Sequence, residues 1–216
     1  MFTDDLINMA YSQVGYHEKE YGTPVPALYP FSNAYDGNDN WTKYLNDLGD
    51  AQGQPWCGYF CYWCFWKLLG ENFSDTDTFL HGISSHGAAV SSWANAFGSV
   101  GLYHEGDGYV PKPGDVVIFA DTGIPWSHCE IVRSLPAWPT YINTIGGNTR
   151  NPDDPGDQSE GMWVAARTRY APYTSGFHVK GYCEVDTTPG SGELPVWMME
   201  SLFYTIMDRK RRKVKP

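Results

Sequence analysis

The chain has 216 residues, of which 42% are hydrophobic and 16% aromatic, with a formal net charge of −10. That is enough apolar material for one sizeable core, and it excludes a wholly disordered polypeptide. Six of the 15 basic residues crowd into positions 209–215, leaving nine against 25 acidic residues in 1–208, which argues against nucleic acid as the partner of the folded part.

Thr3 is a cap for a first helix whose opening turn holds Asp4 and Asp5, where the helix dipole favours acids. Leu6, Ile7, Met9, Ala10 and Val14 give it an apolar stripe, and Gly15 ends it. Residues 16–54 are rich in Gly, Asn, Asp and Pro and read as a long loop with a short helix at 41–48. Next comes Gly53-Gln54-Pro55-Trp56-Cys57, followed by an apolar aromatic run closed by Gly70. It reads as a loop turning into a buried helix over 57–69, too short to span a bilayer. A third helix is expected over 87–97.

The period then changes. Pro113-Gly114-Asp115 is a turn, and strands are expected at 116–120, 127–132, 140–145, 162–170 and 177–185. Helices first and strands afterwards predict an α+β domain over 1–185. A Gly- and Pro-rich linker at 186–195 leads to a short helix and a basic tail in 196–216.

Cys57 opens the aromatic helix. Free backbone N–H groups and the helix dipole favour an anion there, so a thiol at this position is set up as a nucleophile. Cys61 and Cys64 are three apart on the same helix, too far for a good disulfide, and the five cysteines form no evident bridged framework. Cys57, Cys61 and Cys64 also spell the ligand spacing of radical iron–sulfur enzymes, a remote alternative, because cluster ligands normally lie on a loop that can wrap the iron. A cysteine nucleophile needs a base and a group that orients it. His128 begins the second strand, and the next strand ends in Gly146-Gly147-Asn148-Thr149. Asn148 is one candidate to hold the imidazole. Glu130 is the other, since i and i+2 on a strand share a face.

These motifs resemble the CHAP domain, the cysteine, histidine-dependent amidohydrolase/peptidase family. The resemblance rests on Val14-Gly15-Tyr16-His17-Glu18-Lys19, on Gly53-Gln54-Pro55-Trp56-Cys57 with Phe60, Trp63 and Cys64, on Pro113-Gly114-Asp115-Val116-Val117-Ile118-Phe119, on Ser127-His128 with Ile131-Val132, and on Gly147-Asn148-Thr149. It implies a papain-like fold, N-terminal helices packed on a central antiparallel sheet. It also implies hydrolysis of a peptidoglycan amide bond, with Cys57 as nucleophile and His128 as base. The chain departs from the family twice: Gly146 stands where an acid is common, and Glu130 where a glycine is usual. An inactive wall-binding module is therefore the alternative.

The oxyanion hole is expected at the Cys57 N–H with help from Gln54, and Trp56, Tyr16, Glu18 and Glu130 are candidates to line the groove. No cofactor or metal is expected, because Asp36, Asp39, Asp47 and Asp50 follow no recognised ligand spacing. The expected partner is bacterial peptidoglycan, acted on by a monomer, with the basic tail touching anionic wall polymer or membrane. The start of the sequence resembles no signal peptide. The resemblance implies a role for a phage, for a prophage or in the host's own cell-wall remodelling, with the protein made in the bacterial cytoplasm and acting at the cell wall after lysis or through a holin.

Overall fold

The computed structural model describes residues 2–29, 33–106, 108–136, 140–151, 161–171 and 176–186. The expected helix and basic tail in 196–216 lie outside them. Met1–Val185 forms one compact unit. Its described residues contain five α-helices, α1 (Phe2–Tyr11), α2 (Lys43–Leu48), α3 (Cys57–Leu68), α4 (Phe73–Phe79) and α5 (Val90–Ser99). Six strands follow, β1 (Tyr103–Glu105), β2 (Val116–Asp121), β3 (Ile124–Ser134), β4 (Tyr141–Thr149), β5 (Trp163–Tyr170) and β6 (His178–Cys183). The sheet runs β1-β6-β2-β3-β4-β5 with every neighbouring pair antiparallel. The fold is α+β, helices first, as the change of period implied.

Helix α3 is the centre of the molecule. Every residue from Cys57 to Trp66 is buried, as expected of a helix that is apolar all round. Each of its large side chains contributes about 1.5–3 kcal/mol by leaving water. The helix rests on one face of the sheet, where Val116, Ile118, Cys129, Ile131 and Ile145 join its core. The opposite face carries a smaller cluster of Val117, Phe119, Val132, Ile142, Val179 and Tyr182.

Local chemistry sets several element ends. Thr42 caps α2 by accepting from the Leu45 N–H, and Gly49 closes it in the left-handed region. Asn72 caps α4, a helix absent from the sequence reading, by accepting from the Asp75 N–H. Helix α5 starts three residues later than expected. Ser85, His86 and Gly87 all have positive φ, so residues 85–87 form a tight turn that an α-helix cannot include. The short edge strand β1 was also unforeseen.

Residues 15–18 are not free loop. Gly15 N–H donates to Val164 O, Glu18 N–H to Met162 O, and Val164 N–H to Tyr16 O. The segment therefore lies along β5 like an extra strand.

Candidate active site

The start of α3 is wedged between two glycines. A Cβ on Gly147 of β4 would lie 2.5 Å from Phe60 Cβ and 2.6 Å from Trp56 Cζ3. On the other side, a Cβ on Gly58 would overlap the Gly87 carbonyl oxygen. Backbone thus touches helix on both sides, and the position of Cys57 follows from those contacts.

Alternation along β3 sends His128 and Glu130 to one face and Cys129 and Ile131 to the other. Cys57 stands where the start of α3 meets this strand, and its thiol interacts with both His128 and Cys129. The other side of the imidazole is taken: His128 Nε2–H donates to Glu130 Oε1 at 3.0 Å. That leaves Nδ1 for the sulfur. The structure brings Cys57 and His128, far apart in the chain, side by side.

Glu130 is wholly buried and fully partnered. Thr144 Oγ1 donates to its Oε2 at 2.6 Å, Arg169 Nε to the same oxygen at 3.0 Å, and Arg169 Nη2 to Oε1. Burial pushes the carboxyl up, but the Arg169 charge and the His128 hydrogen bond outweigh it and hold it well below the usual carboxylate range. Burial likewise works against a charged imidazole. The Cys57 and Glu130 contacts reverse the sign and raise His128 to about 9. The Cys57 thiol is pushed up by the Cys129 hydrogen bond and by burial, and pulled down by His128. The anchored anion Glu130 therefore holds a proton on the imidazole, while the Cys57 thiol as a whole lies well above its ordinary value, His128 opposing but not reversing the effect of Cys129 and burial.

Glu130 and Gly146 belong together. The β3–β4 register pairs Ile131 with Ile145, so one rung further Glu130 faces Gly146. A Cβ on Gly146 would lie 2.6 Å from Glu130 Cγ and 2.7 Å from Oε1. The two departures seen in the sequence are sterically linked: a side chain at position 146 would collide with the Glu130 carboxylate, so the glycine makes room for it.

Asn148 does not hold the imidazole. It has a φ of 50°, a left-handed turn that carries its side chain away from β3. In the orientation that satisfies both ends of its amide, its oxygen accepts from the Trp56 N–H at 3.2 Å and its nitrogen donates to the Gly161 carbonyl. It pins Trp56, the residue before Cys57, and the contact with His128 falls to Glu130. Tyr16, Glu18 and Trp56 do not line a groove, for all three are buried. The pairing of 15–18 with β5 turns Tyr16 and Glu18 inward. There Glu18 Oε2 accepts from Trp56 Nε1–H at 2.7 Å, Tyr16 Oη accepts from the Lys43 N–H at 2.9 Å, and the Tyr44 ring stacks on Trp56. These side chains support the helix start from behind. Gln54 is exposed in the loop ahead of Cys57.

Sequence reasoning missed Arg169 and Phe177. Phe177 is 44% exposed, stacks on Phe119 at 4.9 Å and lies 6.3 Å from the His128 ring. Arg169 lies 5.3 Å from the Phe177 ring centre. One signal for Arg169 was available: a glutamate on the inner side of a strand requires a cation within reach.

Residues 49–148 match the family model of the CHAP domain. The span includes Cys57, Glu130, His128 and Asn148. CHAP domains are generally hydrolytic and act on peptidoglycan as amidases or peptidases. No curated protein and no solved structure matches the chain.

Proposed function

We propose that this CHAP-domain chain hydrolyses an amide bond of bacterial peptidoglycan, either the muramoyl–alanine bond or a bond of the peptide, through Cys57 and His128. The observation that carries the reading is the run of contacts Cys57–His128–Glu130, with the carboxylate anchored by Arg169. In the proposed reaction the Cys57 thiolate attacks the amide carbonyl. The developing oxyanion lies against the Cys57 N–H at the start of α3, with Gln54 at the rim. His128, protonated and aimed by Glu130, gives its proton to the leaving amine. It then takes a proton from the water that releases the acyl group. Phe177, exposed beside the imidazole, forms a wall where the leaving side of the substrate departs. The enzyme would meet its substrate at the cell wall, after lysis or through a holin.

The test is digestion of purified peptidoglycan by the full chain and by Cys57→Ala, with mass spectrometry of the soluble products. The wild-type chain should release fragments with new amino termini, and their masses identify the bond. The variant should release none while keeping its fold by circular dichroism. Equal release by both proteins would refute Cys57 as nucleophile. Wall binding without any product from the wild type would support the inactive-module reading instead.

A further inference from the structure

Two phenylalanine rings cover the charged groups of the site. Glu130 has no exposure and is bonded to His128, Thr144 and Arg169. Arg169 is the outer partner of the ion pair, with 14% of its side chain exposed. Its guanidinium carbon lies 5.4 Å from the centre of the Phe119 ring and 5.3 Å from that of Phe177, within reach of a cation–π contact. The same rings lie 6.1 and 6.3 Å from the imidazole of His128. They stack on each other at 4.9 Å with their planes 14° apart. Phe119 is buried and Phe177 is exposed, so Phe177 is the outer layer. Local chain geometry puts it there. Gly176 takes a φ of 85° just ahead of it, a conformation that suits glycine, and His178 after it pairs with Ala120 of β2, the neighbour of Phe119. What the two rings cover is a desolvated ion pair. Its attraction is strong because water and salt are kept away, and the same pair opened to solvent would be worth far less.

We propose that Phe177 is a positioning residue whose ring keeps water and salt off the Arg169–Glu130 pair, so that the charge of Glu130 acts on the imidazole at full strength. Phe177 acts through Arg169 and Glu130, apart from any contact with substrate. The groups facing the imidazole are Cys57 from α3, Glu130 from its own strand and the two uncharged rings, and Arg169 acts on it through Glu130. What the shield contributes to catalysis rests on the hydrolase reading. The shield itself does not, because the imidazole can be titrated without substrate.

The His128 ring is titrated by NMR in the full chain at about 0.05 and 0.5 M sodium chloride, in wild type, Phe177→Ala, Phe177→Leu and the double variant Phe177→Ala with Glu130→Gln. The acidity of the chain gives every variant a common salt response, so the difference from wild type is read. The alanine variant's midpoint should fall with salt by about half a pH unit more than the wild type's, the effect of an ion pair newly exposed to screening. Leucine, an apolar cover without an aromatic face, should restore the wild-type response. The extra response should vanish in the double variant. Peptidoglycan release by the alanine variant should become salt-sensitive in step with the midpoint. Phe177→Gln, which is polar at similar length, replaces the alanine variant should that fail to fold. An alanine variant whose midpoint responds to salt as the wild type's does overturns the proposal and leaves Phe177 a wall of the substrate groove. So does a leucine variant that behaves like alanine, or an extra response that survives Glu130→Gln. If the wild type digests no peptidoglycan, the hydrolase reading fails, and the titration still decides the shield.

Discussion

Replacing Glu130 by Gln keeps the volume and removes the charge, which isolates what the anion does. All four hydrogen bonds to Glu130 come from donors: His128, Thr144 and two from Arg169. A Gln amide can accept at one oxygen only, and its NH2 then points at N–H donors. Arg169, whose side chain is 14% exposed, loses its counter-charge. Breaking a buried pair from one side costs about 3–5 kcal/mol. Arg169 retains its bond to Thr149 Oγ1 at 3.0 Å and the nearby Phe119 and Phe177 rings, which reduces the expected loss to about 2–4 kcal/mol. Urea unfolding of wild type, Glu130→Gln, Arg169→Met and the double variant measures it. The double variant should be more stable than the sum of the singles predicts, by about 1–3 kcal/mol.

The same change should be visible in the imidazole. His128 titrates near 9 in the folded chain against about 6.5 when unfolded. A raised folded value stabilises fully below about 6.5, and the contribution is lost as pH climbs through 9. Part of the wild-type advantage over Glu130→Gln should accordingly fade between those limits, and the His128 ring resonances of the variant should titrate well below 9. Additivity within about 0.5 kcal/mol, together with an unmoved His128 titration, would refute the reasoning.

Two further outcomes follow from the glycines at the site. Gly147→Ala should cost about 1–3 kcal/mol by overpacking against Trp56 and Phe60, and it should depress peptidoglycan digestion as well, because the same contact places Cys57; a variant that melts lower yet digests normally would separate the two. Exchanging the facing pair, Glu130→Gly with Gly146→Glu, should recover part of the digestion lost in Glu130→Gly alone. Equal activity of the single and double variants would show that a carboxylate at position 146 cannot reach the imidazole.

Much of the fold was legible because its signals are local. The aromatic run after Trp56 could only be a buried helix, and the turn at Pro113-Gly114-Asp115 announced the change to strands. Helix α4 escaped because Phe73-Ser74-Asp75-Thr76-Asp77-Thr78-Phe79 is mostly polar; its mark was the Asn72 cap, not an apolar stripe. Strand β1 has three residues, too few to set a period. At the site, Cys57 and His128 were readable as residue types placed at element ends. The fates of Tyr16 and Glu18 were not, since they depend on residues 15–18 pairing with β5, about 145 positions away. Asn148 misled because chain order says which strand a residue ends, whereas its backbone turn decides where the amide goes. Arg169 reaches Glu130 from β5 across β4, which requires the strand order that no local pattern encodes.

The position of the acid on β3 has a mechanical consequence. Base and carboxylate now ride the same extended segment, two residues and about 6.8 Å apart along it. A slip or breathing motion between β3 and β4 would carry both together instead of pulling one from the other. The neighbouring strand braces the pair without carrying a member of it, steadying the carboxylate through Thr144 and the start of α3 through Gly147 and Asn148.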